Sequence, residues 1–172
     1  MNKEEASKLM VRVFVSHSTK DFHLVTTLVK YLEAYGIEVY LAERDYQPGT
    51  QLSLKIMRNI NLSDYFLVVY TINGDDSSYV QQEIGYWLGK RGNNRLIPFV
   101  ESGINPKAFL RDVEYIEFDP LNPNIGVANV INYINQQIKM RRDQLIFDVG
   151  VGLGLVGFIS LVLYGLSKLG DE

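Results

Sequence analysis

The chain has 172 residues, of which 47% are hydrophobic, and its formal net charge is −3. This length fits one domain with an appendage, because domains cluster at about 100–150 residues. Scattered lysine and arginine argue against nucleic acid as a partner, and the absence of cysteine excludes disulfides, thiolate metal sites and a cysteine nucleophile. Residues 1–10 lack the apolar segment of a signal peptide, and we expect them to form an N-terminal extension.

Short apolar runs alternate with helical patterns over residues 11–138, which we expect to form one domain. This alternation predicts right-handed crossovers and an α/β fold, a parallel sheet with helices on both faces. In chain order, the first predicted elements are a strand at 11–15, a helix at 22–32, a strand at 37–41, a helix at 52–60 and a strand at 65–70. A helix around Glu83 and a strand at 95–100 follow. The last predicted elements are a loop or short helix at 105–111, a strand at 113–118 and a helix at 125–138.

The loops that follow predicted strands are the first candidates for a binding site. In open parallel sheets, ligands bind beyond the carboxyl ends of the strands. The loops Ser16–Thr19 and Glu43–Thr50 and the start of the Glu83 helix all follow strands, so they converge on one edge. Backbone N–H groups after the first strand favour phosphate. Alternatively, Ser18 or Thr19 simply caps the next helix.

Three further polar features of these loops have two interpretations each. His17 either titrates or binds a ligand, or it is a bystander in its loop. Arg44 meets substrate or a neighbouring subunit, or it is a solvated loop cation. Asp75 and Asp76 follow an Asn-Gly pair, which predicts a turn rather than a metal site.

The helix around Glu83 carries the strongest chemical signal. Tyr79, Glu83 and Trp87 are spaced four apart, so they project in one column of the helix. Glu83 borders a predicted apolar stripe and is partly desolvated there, which raises the proton affinity of its carboxylate. Such a carboxylate can act on a sugar hydroxyl or a developing cation. The alternatives are a solvated glutamate and a tryptophan that packs in the core. The stripe consists of Val80, Ile84, Trp87 and Leu88.

Three segments, in this order along residues 11–138, resemble the Toll/interleukin receptor (TIR) domain family. Val13–Phe22 (VFVSHSTKDF) resembles the family's first-strand box. Arg44–Val69 is similar to the BB loop, the helix after it and the serine before the third strand, which is Ser63 here. Ser77–Glu83 is similar to the family's pattern of a serine, an aromatic residue, a small residue and a glutamate. Tyr79 stands where many members have tryptophan, and Val80 where many have cysteine.

The resemblance implies a flavodoxin-like fold that self-associates through the BB loop, here with Asp45, Pro48 and Gly49. Many prokaryotic and plant members cleave NAD+ at the nicotinamide–ribose bond, and their catalytic glutamate matches Glu83. The implied function is an NAD+ nucleosidase, with or without cyclisation of ADP-ribose, in immune or antiphage signalling. NAD+ is then the substrate, and neither a cofactor nor a metal is expected. The residues expected to contact NAD+ are Phe14, Ser16, His17, Ser18, Arg44, Tyr79 and Trp87.

Two other classes of function stay open at this point. Some members of the family are adaptors, so the chain is alternatively a non-catalytic, membrane-anchored module that recruits other TIR domains. A nucleoside deoxyribosyltransferase-like enzyme would share the sheet and the glutamate, but it gives no reason for an anchor. Consumption of NAD+ by the protein separates the enzyme from the adaptor.

The C-terminal segment has the pattern of a membrane anchor. Val149–Ser167 contains 19 residues without a charge, which meets the threshold of about 18 for a spanning helix. Its glycines would weaken a water-soluble helix but are tolerated in lipid, and Gly150 and Gly154 form a GxxxG spacing. We therefore expect a basic juxtamembrane linker at 139–147 and a transmembrane helix at 148–168. A buried core helix is the alternative.

The charges that flank this segment predict its orientation. Lys139, Arg141 and Arg142 precede the span, whereas Lys168 is the single cation after it. Because cationic flanks are retained in the cytoplasm, the sequence predicts a single-pass membrane protein whose TIR-like domain is cytoplasmic.

Overall fold

The computed structural model describes residues 11–141, 143 and 144. The boundary between two compact units lies between Asn132 and Tyr133. The sheet and the candidate site described below belong to the first unit. The predicted N-terminal extension at 1–10 and the predicted transmembrane helix at 148–168 lie outside the described residues. Within the described part of the chain, none of the helices has the length and apolarity that crossing a bilayer requires.

The described residues form five strands, five α-helices and three short 3-10 helices. The strands are β1 (Arg12–Ser16), β2 (Glu38–Tyr40), β3 (Tyr65–Tyr70), β4 (Leu96–Glu101) and β5 (Ile116–Phe118). The α-helices are α1 (Phe22–Ala34), α2 (Leu52–Leu62), α3 (Ile72–Asp75), α4 (Ser78–Arg91) and α5, residues 124–141, which crosses the boundary between the units. The 3-10 helices are Thr19–Asp21, Ala42–Arg44 and Ala108–Leu110.

The strands form one parallel sheet in the order β2-β1-β3-β4-β5. This is the flavodoxin-like order, in which the direction of winding reverses between β1 and β3. The predicted α/β fold with a parallel sheet flanked by helices is therefore confirmed. The reversal places Ser16, the last residue of β1, at the switch point where such sheets bind ligands.

The core on one side of the sheet is a continuous aromatic stack. Phe14 stacks on Tyr40 and on Phe66, each at 5.4 Å between ring centroids, and Phe66 stacks on Trp87 at 5.3 Å. Such pairs add about 0.5–1.5 kcal/mol each beyond the area that they bury. Trp87 belongs to α4, so this stack fixes the helix that carries Glu83 against the strand that ends at Ser16.

The turn after α1 shows how a single residue ends a helix. Gly36 has φ of 77°, a conformation that glycine adopts without strain. Its N–H donates to the carbonyl of Glu33 and the N–H of Ile37 donates to that of Leu32, the two bonds of a Schellman motif. This motif ends α1 and directs the chain into β2.

Candidate active site

Helix α4 sets the position of Glu83. Its N-cap is Ser77, whose side chain accepts a hydrogen bond from the N–H of Val80. Val80, Ile84 and Trp87 are completely buried and fix the rotation of the helix against the sheet. Glu83 lies at the margin of this buried stripe and is itself half-buried. The predicted position beside the core is therefore observed.

The carboxylate of Glu83 meets the end of β1. Ser16 is 1% exposed, and its Oγ donates a hydrogen bond of 2.5 Å to Oε2 of Glu83. Burial raises the pKa of Glu83 from 4.5 to about 7, and the negative charge of Glu43 acts in the same direction. The hydrogen bond from Ser16 opposes this shift, because it stabilises the ionised carboxylate. Glu83 therefore changes charge near neutral pH.

Glu83 opens into a cavity of about 400 Å³ between α2 and α4. Tyr79 is 64% exposed and contributes an aromatic ring to the wall. Glu83 is the one charged residue of this lining, so the cavity combines a single carboxylate with tyrosines and apolar side chains. A volume of this size suits a small ligand. The lining residues are Leu52, Ser53, Ile56, Met57, Ile60, Tyr79, Gln82, Glu83 and Tyr86.

A histidine and a second carboxylate lie next to this site. The side chain of His17 is 3% exposed, and its Nε2 lies 3.3 Å from Oε1 of Glu43, in a geometry that makes no hydrogen bond. Glu43 belongs to the 3-10 helix after β2, and its charge reaches Glu83. The loops after β1 and β2 thus converge near Glu83, as the order of elements predicts.

Ser18 and Arg44 have structural partners. Ser18 is the N-cap of the 3-10 helix Thr19–Asp21, and its Oγ accepts from the N–H of Lys20 at 3.4 Å. The capping role predicted as one alternative for Ser18 is therefore present. Nη1 of Arg44 lies 2.5 Å from Oε1 of Glu33 in an ion pair whose side chains are both 42% exposed. Arg44 is thus held on the surface beside α1.

Phe14 and Trp87 are core residues, and this corrects their predicted contact with substrate. Phe14 is 1% exposed and Trp87 is completely buried in the aromatic stack. The indole Nε1 of Trp87 donates to the carbonyl of Asn94 at 3.3 Å, so its polar atom is also paired. Neither ring presents a face to the cavity, because both are packed on Phe66.

The predicted assembly loop lies on the surface. The carboxylate of Asp45 accepts from the hydroxyl of Tyr40 at 3.0 Å and from Nε2 of Gln47 at 2.7 Å, which holds the start of the loop. Pro48 and Gly49 are both exposed, and Gly49 has φ of 83°. These contacts give the loop a defined conformation while leaving its tip free for other contacts.

The sequence interpretation missed the wall that α2 contributes and two residues of α4. Gln82 and Tyr86 lie one position and three positions from Glu83 and line the cavity. Their spacing from Tyr79 was the available signal, since residues three and seven apart share a helix face.

Within the described residues, no cluster of three or more His, Cys, Asp or Glu side chains could hold a metal ion. Asp75 instead pairs with Lys107 at 2.6 Å.

A family model described as TIR domain matches residues 13–126. This range contains Glu83 and the whole sheet except Arg12, the first residue of β1, so the chain is an α/β protein with the TIR architecture. It belongs to the TIR domain family. No relative was found among curated proteins.

Solved structures with the same fold come from several kinds of protein. The TIR domain of the Toll-related receptor TRR-2 from Hydra magnipapillata is 22% identical, with a TM-score of 0.61 over 74% of this chain and 97% of that one. The TIR domains of the activated Roq1 resistosome, which recognises the effector XopQ, are 16% identical, with a TM-score of 0.56 over 74% and 99%. The CMP N-glycosidase BcmB of Clostridium botulinum is 21% identical, with a TM-score of 0.55 over 71% and 98%.

Proposed function

We propose that this protein is an NAD+ nucleosidase that cleaves the nicotinamide–ribose bond and uses Glu83 as its catalytic carboxylate. The observation that carries the proposal is the placement of Glu83. It is a half-buried carboxylate at the switch point of the sheet, hydrogen-bonded to Ser16 and open to a cavity of about 400 Å³. A partly desolvated carboxylate beside a ligand-sized cavity is a common arrangement in sites that stabilise a cation.

The chemistry needs one negative charge and little else. Cleavage of the glycosidic C–N bond passes through an oxocarbenium-like state, which the ionised Glu83 stabilises directly or through the ribose hydroxyls. Nicotinamide departs with the bonding electrons and becomes neutral, so a strong general acid is unnecessary. Water then adds to the ribosyl carbon and releases a proton, which yields ADP-ribose. Attack by a group of the same nucleotide would give a cyclic product instead.

The lining of the cavity fits the nucleoside end of the substrate. Besides Glu83 it contains apolar residues, tyrosines, Ser53 and Gln82 but no lysine or arginine, so it offers no cationic partner for the pyrophosphate. In the proposed complex, the nicotinamide riboside therefore enters the cavity and Tyr79 packs on it, while the phosphates stay outside. A solved structure of the same fold is named a CMP N-glycosidase, which supports a fold that accommodates cleavage of nucleotide N-glycosidic bonds.

Self-association and membrane attachment complete the proposal. The exposed loop with Pro48 and Gly49 would contact another copy of the domain, and an assembled state would be the active one. The segment at 148–168 would hold the domain on the cytoplasmic side of a membrane. We place this activity in immune or antiphage signalling, where assembly switches on the consumption of NAD+.

The replacement Glu83→Gln tests the chemistry. It keeps the shape of the side chain but removes the charge, and we expect nicotinamide release to fall by about 10²–10³-fold. The measurement is chromatography of NAD+ incubated with the concentrated protein. The matched control is Glu114→Gln, which changes an exposed glutamate away from the cavity and should keep the wild-type rate. Turnover by Glu83→Gln at the wild-type rate would refute the assignment.

Thermal unfolding separates lost chemistry from lost folding. Because the pKa of Glu83 is raised to about 7, the contribution of Glu83 to the free energy of unfolding falls as the pH rises from 4.5 through 7. The shift corresponds to roughly 3 kcal/mol at most. Glu83→Gln should therefore unfold at a higher temperature than the wild type at pH 8 and at nearly the same temperature at pH 4.5. An inactive variant with this profile is folded.

A second substrate distinguishes the classes of function. Incubation with CMP in place of NAD+ asks whether the site releases cytosine, and we expect release of nicotinamide only. Release of cytosine at a comparable rate would indicate a nucleotide N-glycosidase of another specificity. If neither base is released at high protein concentration, the chain is the non-catalytic adaptor.

A further inference from the structure

A second cavity, away from Glu83, lies between the assembly loop and α2. It measures about 530 Å³. Three of its lining residues are cationic, Arg12, Lys55 and Arg58, and one is acidic, Asp45. This excess of positive charge contrasts with the Glu83 cavity, whose single charge is negative. The lining residues are Arg12, Asp45, Gln47, Thr50, Gln51, Leu54, Lys55, Arg58, Asn59 and Leu62.

Lys55 is buried beneath the loop without a carboxylate in hydrogen-bonding contact. Its side chain is 11% exposed, and its Nζ donates to the backbone carbonyl of Asp45. The Oδ2 atom of Asp45 lies 3.9 Å from Nζ, too far for a hydrogen bond, and accepts from Tyr40 instead. The ammonium group thus stays within ion-pair distance of Asp45 but retains N–H donors for another partner.

The two arginines extend this positive field along the cavity. Nη2 of Arg12 donates to Oδ1 of Asn59 at 3.0 Å, which fixes the guanidinium at the cavity wall. Its Nε is buried without a hydrogen bond and forms an ion pair at 3.2 Å with Oε1 of the half-exposed Glu38. Arg58 is exposed, and among the described residues no carboxylate pairs with it. The guanidinium fork matches the oxygens of a phosphate group.

We infer that this cavity binds a small phosphate-bearing molecule, held by Lys55, Arg12 and Arg58. Three cations around a cavity with one carboxylate favour an anion, and its volume lies in the range of small-ligand sites. The amides of Gln47 and Gln51 supply further donors. Because the wall includes both the assembly loop and α2, the bound anion would fasten the loop to the helix. The phosphate belongs either to a soluble nucleotide or to the headgroup of a lipid.

Calorimetric titration of the full chain with sodium pyrophosphate at low salt tests this site. We expect saturable binding that Arg58→Gln weakens by about 10- to 150-fold, since a charge-assisted hydrogen bond contributes about 1.5–3 kcal/mol. Arg58 is exposed, so its replacement should not disturb folding. The matched control Lys30→Gln, an exposed cation of α1, should bind like the wild type. Equal affinity in Arg58→Gln, or no binding at millimolar pyrophosphate, would overturn the inference.

Competition separates the two sources of phosphate. Displacement of pyrophosphate by ADP indicates a nucleotide ligand, and displacement by glycerophosphoinositol bisphosphate indicates a lipid headgroup. Failure of both competitors would overturn the assignment to an organic phosphate. If Arg58→Gln reduces self-association but leaves pyrophosphate binding unchanged, the cations contact a second copy and the site is not an anion site.

The proposed anion site and the proposed cleavage of NAD+ can be refuted independently of each other. Glu83→Gln leaves all three cations in place, so it should bind pyrophosphate with unchanged affinity while losing the release of nicotinamide. Weaker pyrophosphate binding in Glu83→Gln would show that the anion occupies the Glu83 site, and it would overturn the second cavity as its location.

Discussion

Two residues, Glu83 and Ser16, determine the expected pH dependence of the reaction. Burial raises the pKa of Glu83 to about 7, and the proposed cleavage of NAD+ would need the ionised form of this carboxylate. The value of kcat/KM for nicotinamide release should therefore rise with pH through about 7 and level off above 8. Initial rates from pH 5.5 to 9 measure this profile. A flat profile across that range would show that the charge of Glu83 is not needed.

Ser16→Ala tests the hydrogen bond by its effect on the same profile. The hydroxyl donates to the carboxylate and lowers the pKa of Glu83, so its removal should move the inflection to higher pH. The variant should be slow at pH 7 and recover much of its rate at pH 9. Ser78→Ala, which changes an exposed serine at the start of α4, provides the control. Unequal maximal rates with an unmoved inflection would contradict this role of Ser16.

At the scale of the element, α4 shows how far the helical spacing of residues predicts which side chains face the cavity and which face the core. Residues four apart on a helix are offset by about 40°, so a column of such residues rotates gradually around the axis. Tyr79 and Glu83 therefore face the cavity, whereas Trp87 has turned into the core. Tyr86 is three residues beyond Glu83 and returns to the cavity face. The sequence predicted a buried stripe of which Val80, Ile84 and Trp87 are fully buried and Leu88 is partly buried. Of the two aromatic residues it assigned to the site, Tyr79 lines the cavity and Trp87 does not.

In the other elements too, the local sequence predicts some features, whereas others depend on contacts between distant parts of the chain. The continuous apolar run of β3 predicts its burial, and all six residues are buried. The strand predicted at 113–118 is only Ile116–Phe118, because its length depends on pairing with β4. The cavity walls come from α2 and α4, which meet only through the fold, so no spacing in the sequence reveals them.

The contact between α5 and the sheet yields a prediction about stability. Alanine normally stabilises a helix relative to glycine by about 1 kcal/mol. At Gly126 the added Cβ would lie 2.6 Å from Cβ of Phe118 and 2.8 Å from the ring of Phe99. Gly126→Ala should therefore lower the free energy of unfolding by about 1–3 kcal/mol, as overpacking does. Gly89→Ala in α4 meets no atom within 4 Å and should be neutral or stabilising. Denaturant unfolding of both variants measures whether each substitution raises or lowers the free energy of unfolding.

For the whole molecule, assembly is expected to control the rate. If two copies complete an active site, specific activity rises with protein concentration instead of staying constant. Gly49 has φ of 83°, and Gly49→Ala strains the loop by about 1 kcal/mol without meeting any neighbouring atom. We expect this variant to require a higher concentration for the same specific activity. A specific activity that is constant over a wide dilution series would exclude control by assembly.

We propose that the segment Val149–Ser167 anchors the protein in a membrane, because its sequence has the pattern of a spanning helix. Its 19 uncharged residues would form a helix of about 28 Å, close to the hydrocarbon thickness of about 30 Å. Confinement to a membrane raises the effective concentration of the domain, which favours assembly. Truncation after Gln144 should therefore give a protein that is soluble without detergent and less active than the full chain at equal total concentration. Recovery of the full chain in the soluble fraction without detergent would refute the anchor, and equal activity of the two forms would refute its role in assembly.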